Sequence, residues 1–158
     1  MNGKVVGGFI VLSALLAGGA IYYLQEYAFY QTVAFTPGNE IALTALVSGL
    51  PEAIPVADLQ GIDATSSPLR FRACFTTPVT QPTLTEGFVV YDKAEPLNAP
   101  VWFDCFDAAK IGAALETGEA IAFLGQAEIA PQIDRVVAVF ADGRAYAWHQ
   151  VNPDAVGE

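Results

Sequence analysis

Cations are what this sequence has least of. Seven Lys and Arg stand against 17 Asp and Glu, for a formal charge of -10 and a pI of about 4.3. After Lys4 the next lysine or arginine is Arg70. So acidic a chain lacks the basic surface that nucleic acid or anionic headgroups require, and neither is an expected partner. Histidine is confined to His149 and cysteine to Cys74 and Cys105. These are too few ligands, at the wrong spacing, for a metal site. There is no Gly-x-Ser-x-Gly elbow, no phosphate-cradling glycine loop, no CxxC and no CxxCH. Nucleophile-elbow hydrolysis, nucleotide binding and haem attachment therefore have no motif to rest on, and no cofactor is expected. Repeats and like-charge runs longer than two residues are missing as well.

What is present begins with Val5–Leu24, a run without a single charge. Twenty residues in a helix span roughly 30 Å, the thickness of a bilayer's hydrocarbon core. Ala17-Gly18-Gly19-Ala20 offers the small residues of a signal-peptide cleavage site behind Lys4. The apolar run continues past that point, however, into an aromatic cluster of Tyr22, Tyr23, Tyr27, Phe29 and Tyr30 of the kind found at membrane–water interfaces. A retained anchor is the expectation, with residues 1–26 as transmembrane segment, 27–38 as linker and 39–158 as a domain. Lys4 before the run and Glu26 after it place the N-terminus in the cytoplasm by the positive-inside rule, and the domain in a bacterial periplasm. Gly3 and Gly7, and Ala14 and Gly18, are each four apart. Such spacing allows another transmembrane helix to approach closely.

In an oxidising compartment Cys74 and Cys105 are expected to form a disulfide. In a strand 69–75, Leu69, Phe71, Ala73 and Phe75 share the apolar face, so Cys74 points the other way with Arg70 and Arg72. The bridge then requires that strand to lie at an edge or to be covered on both faces.

Further strands are expected over 40–47, 53–56, 88–91, 101–106 and 120–124, with loops at 58–68, 76–86 and 92–100. Asp107 has the chemistry of a helix N-cap, and Ala108, Ile111, Gly112 and Leu115 form one face of a helix closed by Gly118. Asp142-Gly143 between Arg135–Ala141 and Arg144–Val151 signals a two-residue hairpin, with Val139 opposite Tyr146 and Val137 opposite Trp148. The sum is an α+β domain: a mainly antiparallel sheet with one short packed helix.

His149 could act as general base, pH sensor or metal ligand. A strand-end histidine satisfied by a backbone carbonyl is the expected state. Asp104 and Asp107 could pair as carboxylates, but Asp107 is already needed as a cap. Arg70 and Arg72 share a strand face and could contact an anion or an acidic partner.

Residues 61–75 (Gly-Ile-Asp-Ala-Thr-Ser-Ser-Pro-Leu-Arg-Phe-Arg-Ala-Cys-Phe) and 133–150 (Ile-Asp-Arg-Val-Val-Ala-Val-Phe-Ala-Asp-Gly-Arg-Ala-Tyr-Ala-Trp-His-Gln) resemble an uncharacterised alphaproteobacterial family of short single-span membrane proteins. The opening Met-Asn-Gly-Lys and the apolar run fit too, so the resemblance extends over nearly the whole chain. Some relatives carry a histidine kinase label, which this sequence contradicts: it has no helical phospho-acceptor histidine and no ATP-binding glycine boxes. The resemblance supplies no catalytic residues and implies a bacterial inner-membrane setting. Together these readings lead to the expectation of a non-enzymatic accessory or assembly subunit in the lipid bilayer. It would dock on a membrane-protein partner, such as a respiratory complex. The alternative is a periplasmic sensing module for a small anion or peptide.

Overall fold

The computed structural model describes residues 2–38 and 40–155. Its contacts divide into two units, residues 1–30 and 31–158. The first is helix α1 (Gly3–Tyr23), capped by the Asn2 side chain, which accepts from Lys4 N at 3.2 Å. A π-helical turn, Leu24–Ala28, continues it. From Gly3 to Ala28 the segment is long and apolar enough to cross a membrane, a property that anchors and signal sequences share.

The second unit is built on a sheet. Its strands are β1 (Tyr30–Thr32), β2 (Ala42–Thr44), β3 (Pro51–Ala53), β4 (Ala57–Ala64) and β5 (Arg72–Thr76), then β6 (Ala120–Ala130), β7 (Ile133–Phe140) and β8 (Arg144–Val151). Helices α2 (Gln81–Gly87) and α3 (Ala108–Thr117) lie between β5 and β6. The main sheet runs β1-β4-β5-β8-β7-β6, and β2 pairs with β3 separately. Every pairing from β4 across to β6 is antiparallel. This is the expected α+β architecture, with a second short helix added.

Alternation along each strand sends side chains to two faces, and both are covered. One face carries Phe71, Ala73, Phe75, Val137, Val139, Ala145 and Ala147, packed against Ile41, Leu43 of β2, Ile54 and Leu84 of α2. The other carries Cys74, Tyr146, Trp148 and Phe140. There α3 sets Ala114 and Leu115 against Ala120, Phe140 and Tyr146. The remainder of that second face is closed by residues 92–107, a strap without regular structure. Phe106 meets Tyr146 and Trp148 edge-on at 5.9 and 6.3 Å. Arg72 and Gln150 hold the strap by its backbone, as described below.

Several local expectations are corrected by this packing. Residues 58–68, rich in Asp, Gly, Ser and Thr, do not form a loop; through Ala64 they belong to β4, paired Gly61↔Ala73 and Ile62↔Arg72. A register shift between Ala57 and Gln60, with Asp58 at φ 52°, accommodates the loop-like residues as a bulge. Within 76–86 the chain forms α2 instead of an extended loop. Pro82 sits in its first turn, where a missing N–H costs nothing, and Leu84 is fully buried. Residues 101–106 are turns, not a strand, because Val101 and Trp102 face outward while Phe103 and Phe106 both turn in. The segment 88–91 makes only isolated bridges, Ala45↔Phe88 and Val90↔Phe123. Val47, expected on the core face with Ile41, Leu43 and Ala45, is fully exposed because β2 ends at Thr44.

The hairpin forms, but its register differs from the expected one by a residue. Val136 lies opposite Trp148 and Val137 opposite Ala147. Gly143 takes φ 89°, and its N–H donates to Phe140 O at 3.0 Å. The loop therefore holds three residues, with a left-handed third position in place of a two-residue turn. The helix expectation holds: the Asp107 carboxylate accepts from Lys110 N at 3.1 Å, and Gly118 closes α3 at φ 76°.

Candidate functional site

Cys74 and Cys105 are bonded, their Cα atoms 6.3 Å apart. Cys74 does point away from the Phe71/Ala73/Phe75 face. The bridge is possible because the strap and α3 cover the sheet's second face and bring Cys105 to it. Such a bond is at home in an oxidising compartment.

Arg72 is also on that second face and is almost wholly buried. Its guanidinium donates to four backbone carbonyls: Leu97 at 2.8 Å, Leu69 at 2.7 Å, Phe71 at 2.6 Å and Asn98 at 2.9 Å. Arg72 is thus committed inside the fold as a clamp on the strap, while Arg70 is half-buried. Asp104 is exposed, and Asp107 combines its cap with an exposed ion pair to Lys110 at 3.0 Å. Gly3, Gly7, Ala14 and Gly18 lie on α1, none of whose residues is buried. Among the described residues no group of three or more His, Cys, Asp and Glu could hold a metal.

His149 is where sequence reasoning pointed without seeing its partner. Its ring is buried and stacks on Phe71 at 4.6 Å and 21°. Nδ1 lies 2.7 Å from Pro68 O, and Nε2 accepts from Nε of Arg135 at 3.0 Å. An acceptor role for Nε2 puts the ring proton on Nδ1, donated to Pro68. The backbone-satisfied histidine is therefore present, with an arginine on its other side. Burial, followed by the charge of Arg135, pushes the imidazole down to about 4.

Arg135 is the residue that sequence reading missed. It pairs across the ladder with His149, and its guanidinium lies over the Phe71 ring, 4.3 Å from the centroid. Desolvation depresses its basicity, partly offset by Asp63. Gly125 makes room for it. A Cβ there would come within 3.0 Å of Arg135 O and 3.1 Å of Arg135 Cγ. Phe71, His149 and Arg135 thus form a graded stack: ring, imidazole and cation. His149 and Arg135 border a cavity of about 430 Å³ that also receives Asp63, Thr65, Ser67, Ile129 and Ala130.

A larger groove of about 730 Å³ runs between the strap and α3, walled by Ala108, Ala109, Gly112 and Ala122 with Glu95 and Glu116 among its carboxylates. No cation lines it. The chemistry that can recognise a ligand gathers at Arg135.

A family model described as a family of unknown function (DUF6446) matches residues 41–157. No curated protein and no solved structure matches the chain.

Proposed function

The chain belongs to this family of unknown function, DUF6446, and we propose from its own geometry that it is a non-enzymatic membrane-anchored protein of the bacterial periplasm, an accessory or assembly subunit docked on a larger inner-membrane complex. The observation that carries this reading is α1. It has the length and hydropathy of a span, and it carries Gly3, Gly7, Ala14 and Gly18 as pairs of small residues four apart. Lipid alone would not call for small residues, whereas a second helix at close approach would.

Two features of the domain support the same reading. The disulfide suits the oxidising side of the membrane. At the β2–β3 tip Leu46, Val47 and Leu50 are 54%, 100% and 64% exposed, an apolar cluster a partner surface would cover. A respiratory assembly is a candidate partner. The test is native purification of C-terminally tagged protein from mild-detergent membranes, with mass spectrometry of what accompanies it. A stoichiometric membrane protein is expected. A clean monomer would overturn the docking proposal.

A further inference from the structure

We propose that the cavity beside Arg135 binds a small monocarboxylic acid, its carboxylate gripped by the Nη1–Nη2 edge of the guanidinium. This does not rest on the docking proposal above; either could fail alone.

The guanidinium is half-prepared for a ligand. Its Nε is taken by His149 at 3.0 Å and its face by Phe71 at 4.3 Å, which together fix its plane. The Nη atoms have no hydrogen-bond partner, and no carboxylate lies within ion-pair distance, among the described residues. Among the described residues no buried side-chain nitrogen or oxygen lacks a partner, so the Nη atoms reach the surface, where Arg135 lines the cavity. A desolvated cation without an anion is costly, and a planar fork of two N–H groups is complementary to a carboxylate. Arg72 shows the contrast: its guanidinium is filled by backbone carbonyls from within the fold.

The cavity selects among anions. At about 430 Å³ it is within the size range of small-ligand sites. Ile129 and Ala130 offer an apolar wall for a short hydrocarbon chain, and Thr65 and Ser67 offer hydroxyls. Asp63 lines the same space and acts on Arg135 through its charge without touching it. A fixed carboxylate there penalises a dianion such as phosphate more than a monoanion.

The experiment uses full-length protein in an uncharged detergent and follows the ring signals of His149, the sole histidine. Sodium butanoate, phosphate and chloride are titrated at constant ionic strength. The charged groups acting on His149 are Arg135 on β7 and Arg72 on β5, with the Pro68 carbonyl as hydrogen-bond partner. A bound carboxylate offsets Arg135, so butanoate should shift the ring signals saturably at about 1–10 mM and raise the His149 pKa from about 4. Chloride should not do so, and phosphate should bind more weakly. Arg135→Gln should abolish saturation. Arg135→Lys, which keeps charge but loses the fork, should weaken it several-fold if the glutamine variant does not fold. A flat butanoate titration of the unmodified protein overturns the proposal, as does an equal response to chloride. Phosphate binding as tight as butanoate overturns the monocarboxylate assignment.

Discussion

The Trp148 indole Nε1 donates to the Gln150 Oε1 at 3.1 Å, both residues buried on one face of β8. That same oxygen accepts from Glu95 N at 2.8 Å, and Gln150 Nε2 donates to Lys93 O at 2.9 Å. One amide thus satisfies an indole and ties the strap backbone to the sheet at two points.

Gln150→Leu should therefore cost more than one hydrogen bond. It strands the indole N–H, the Glu95 N–H and the Lys93 carbonyl together, for a loss of about 2–4 kcal/mol. Urea unfolding of the full-length protein measures it. An unchanged midpoint would mean the strap does not depend on this residue.

Reduction, or Cys74→Ala with Cys105→Ala, should also destabilise. The bond closes a loop of 31 residues in sequence separation, worth about 3–4 kcal/mol in the chain-entropy view. The expected readout is a lower midpoint on adding reductant, absent in the double-alanine variant. If reductant moves both equally, it is acting elsewhere.

His149 makes stability depend on pH in a stated direction. Its folded pKa is about 4, below the 6.5 of an exposed imidazole. Between those values the unfolded chain binds the extra proton, so this contribution is complete above pH 6.5 and is lost as pH falls toward 4. The difference amounts to roughly 3 kcal/mol. Across that window wild type should lose stability faster than His149→Gln; parallel curves would contradict the burial of a neutral ring.

Two of the left-handed glycines, Gly118 and Gly143, should respond unequally to alanine. Gly118 has φ 76° and open space around it, so Gly118→Ala should cost about 1 kcal/mol, the left-handed penalty alone. At Gly143 a Cβ would come within 2.8 Å of the carbonyl oxygen of Thr77, whose own N–H donates to the Gly143 carbonyl at 2.9 Å. Gly143→Ala should cost clearly more. Equal midpoints for the two variants would show that the loop can shift.

What could be read from sequence followed local chemistry. The Asp107 cap, the Gly118 stop and the Asp-Gly hairpin each depend on residues within a turn of one another, and all formed. The disulfide was legible in its pairing, though its geometry depended on the strap covering the second face. The strap and β4 were not legible. Val101 and Phe103 alternate like a strand, but tertiary packing turns Phe103 and Phe106 inward together. β4 carries loop residues because a bulge tolerates them. Arg135 was missed for a single reason, the hairpin register. A two-residue turn would set Arg135 opposite Gln150, whereas the three-residue loop sets it opposite His149. One residue of slip decides which side chains become neighbours, and with it whether a cation and an imidazole meet.

Lys93 stands at the start of the strap with its side chain 62% exposed, inside the stretch enclosed by Cys74 and Cys105. Trypsin cutting after it would divide the chain into an N-terminal piece and a C-terminal piece in sequence only. The sulfur bridge keeps both on one molecule, and gel migration stays that of the intact protein until a thiol is added. The bridge therefore makes this bend a place where the chain can be nicked without the two halves parting.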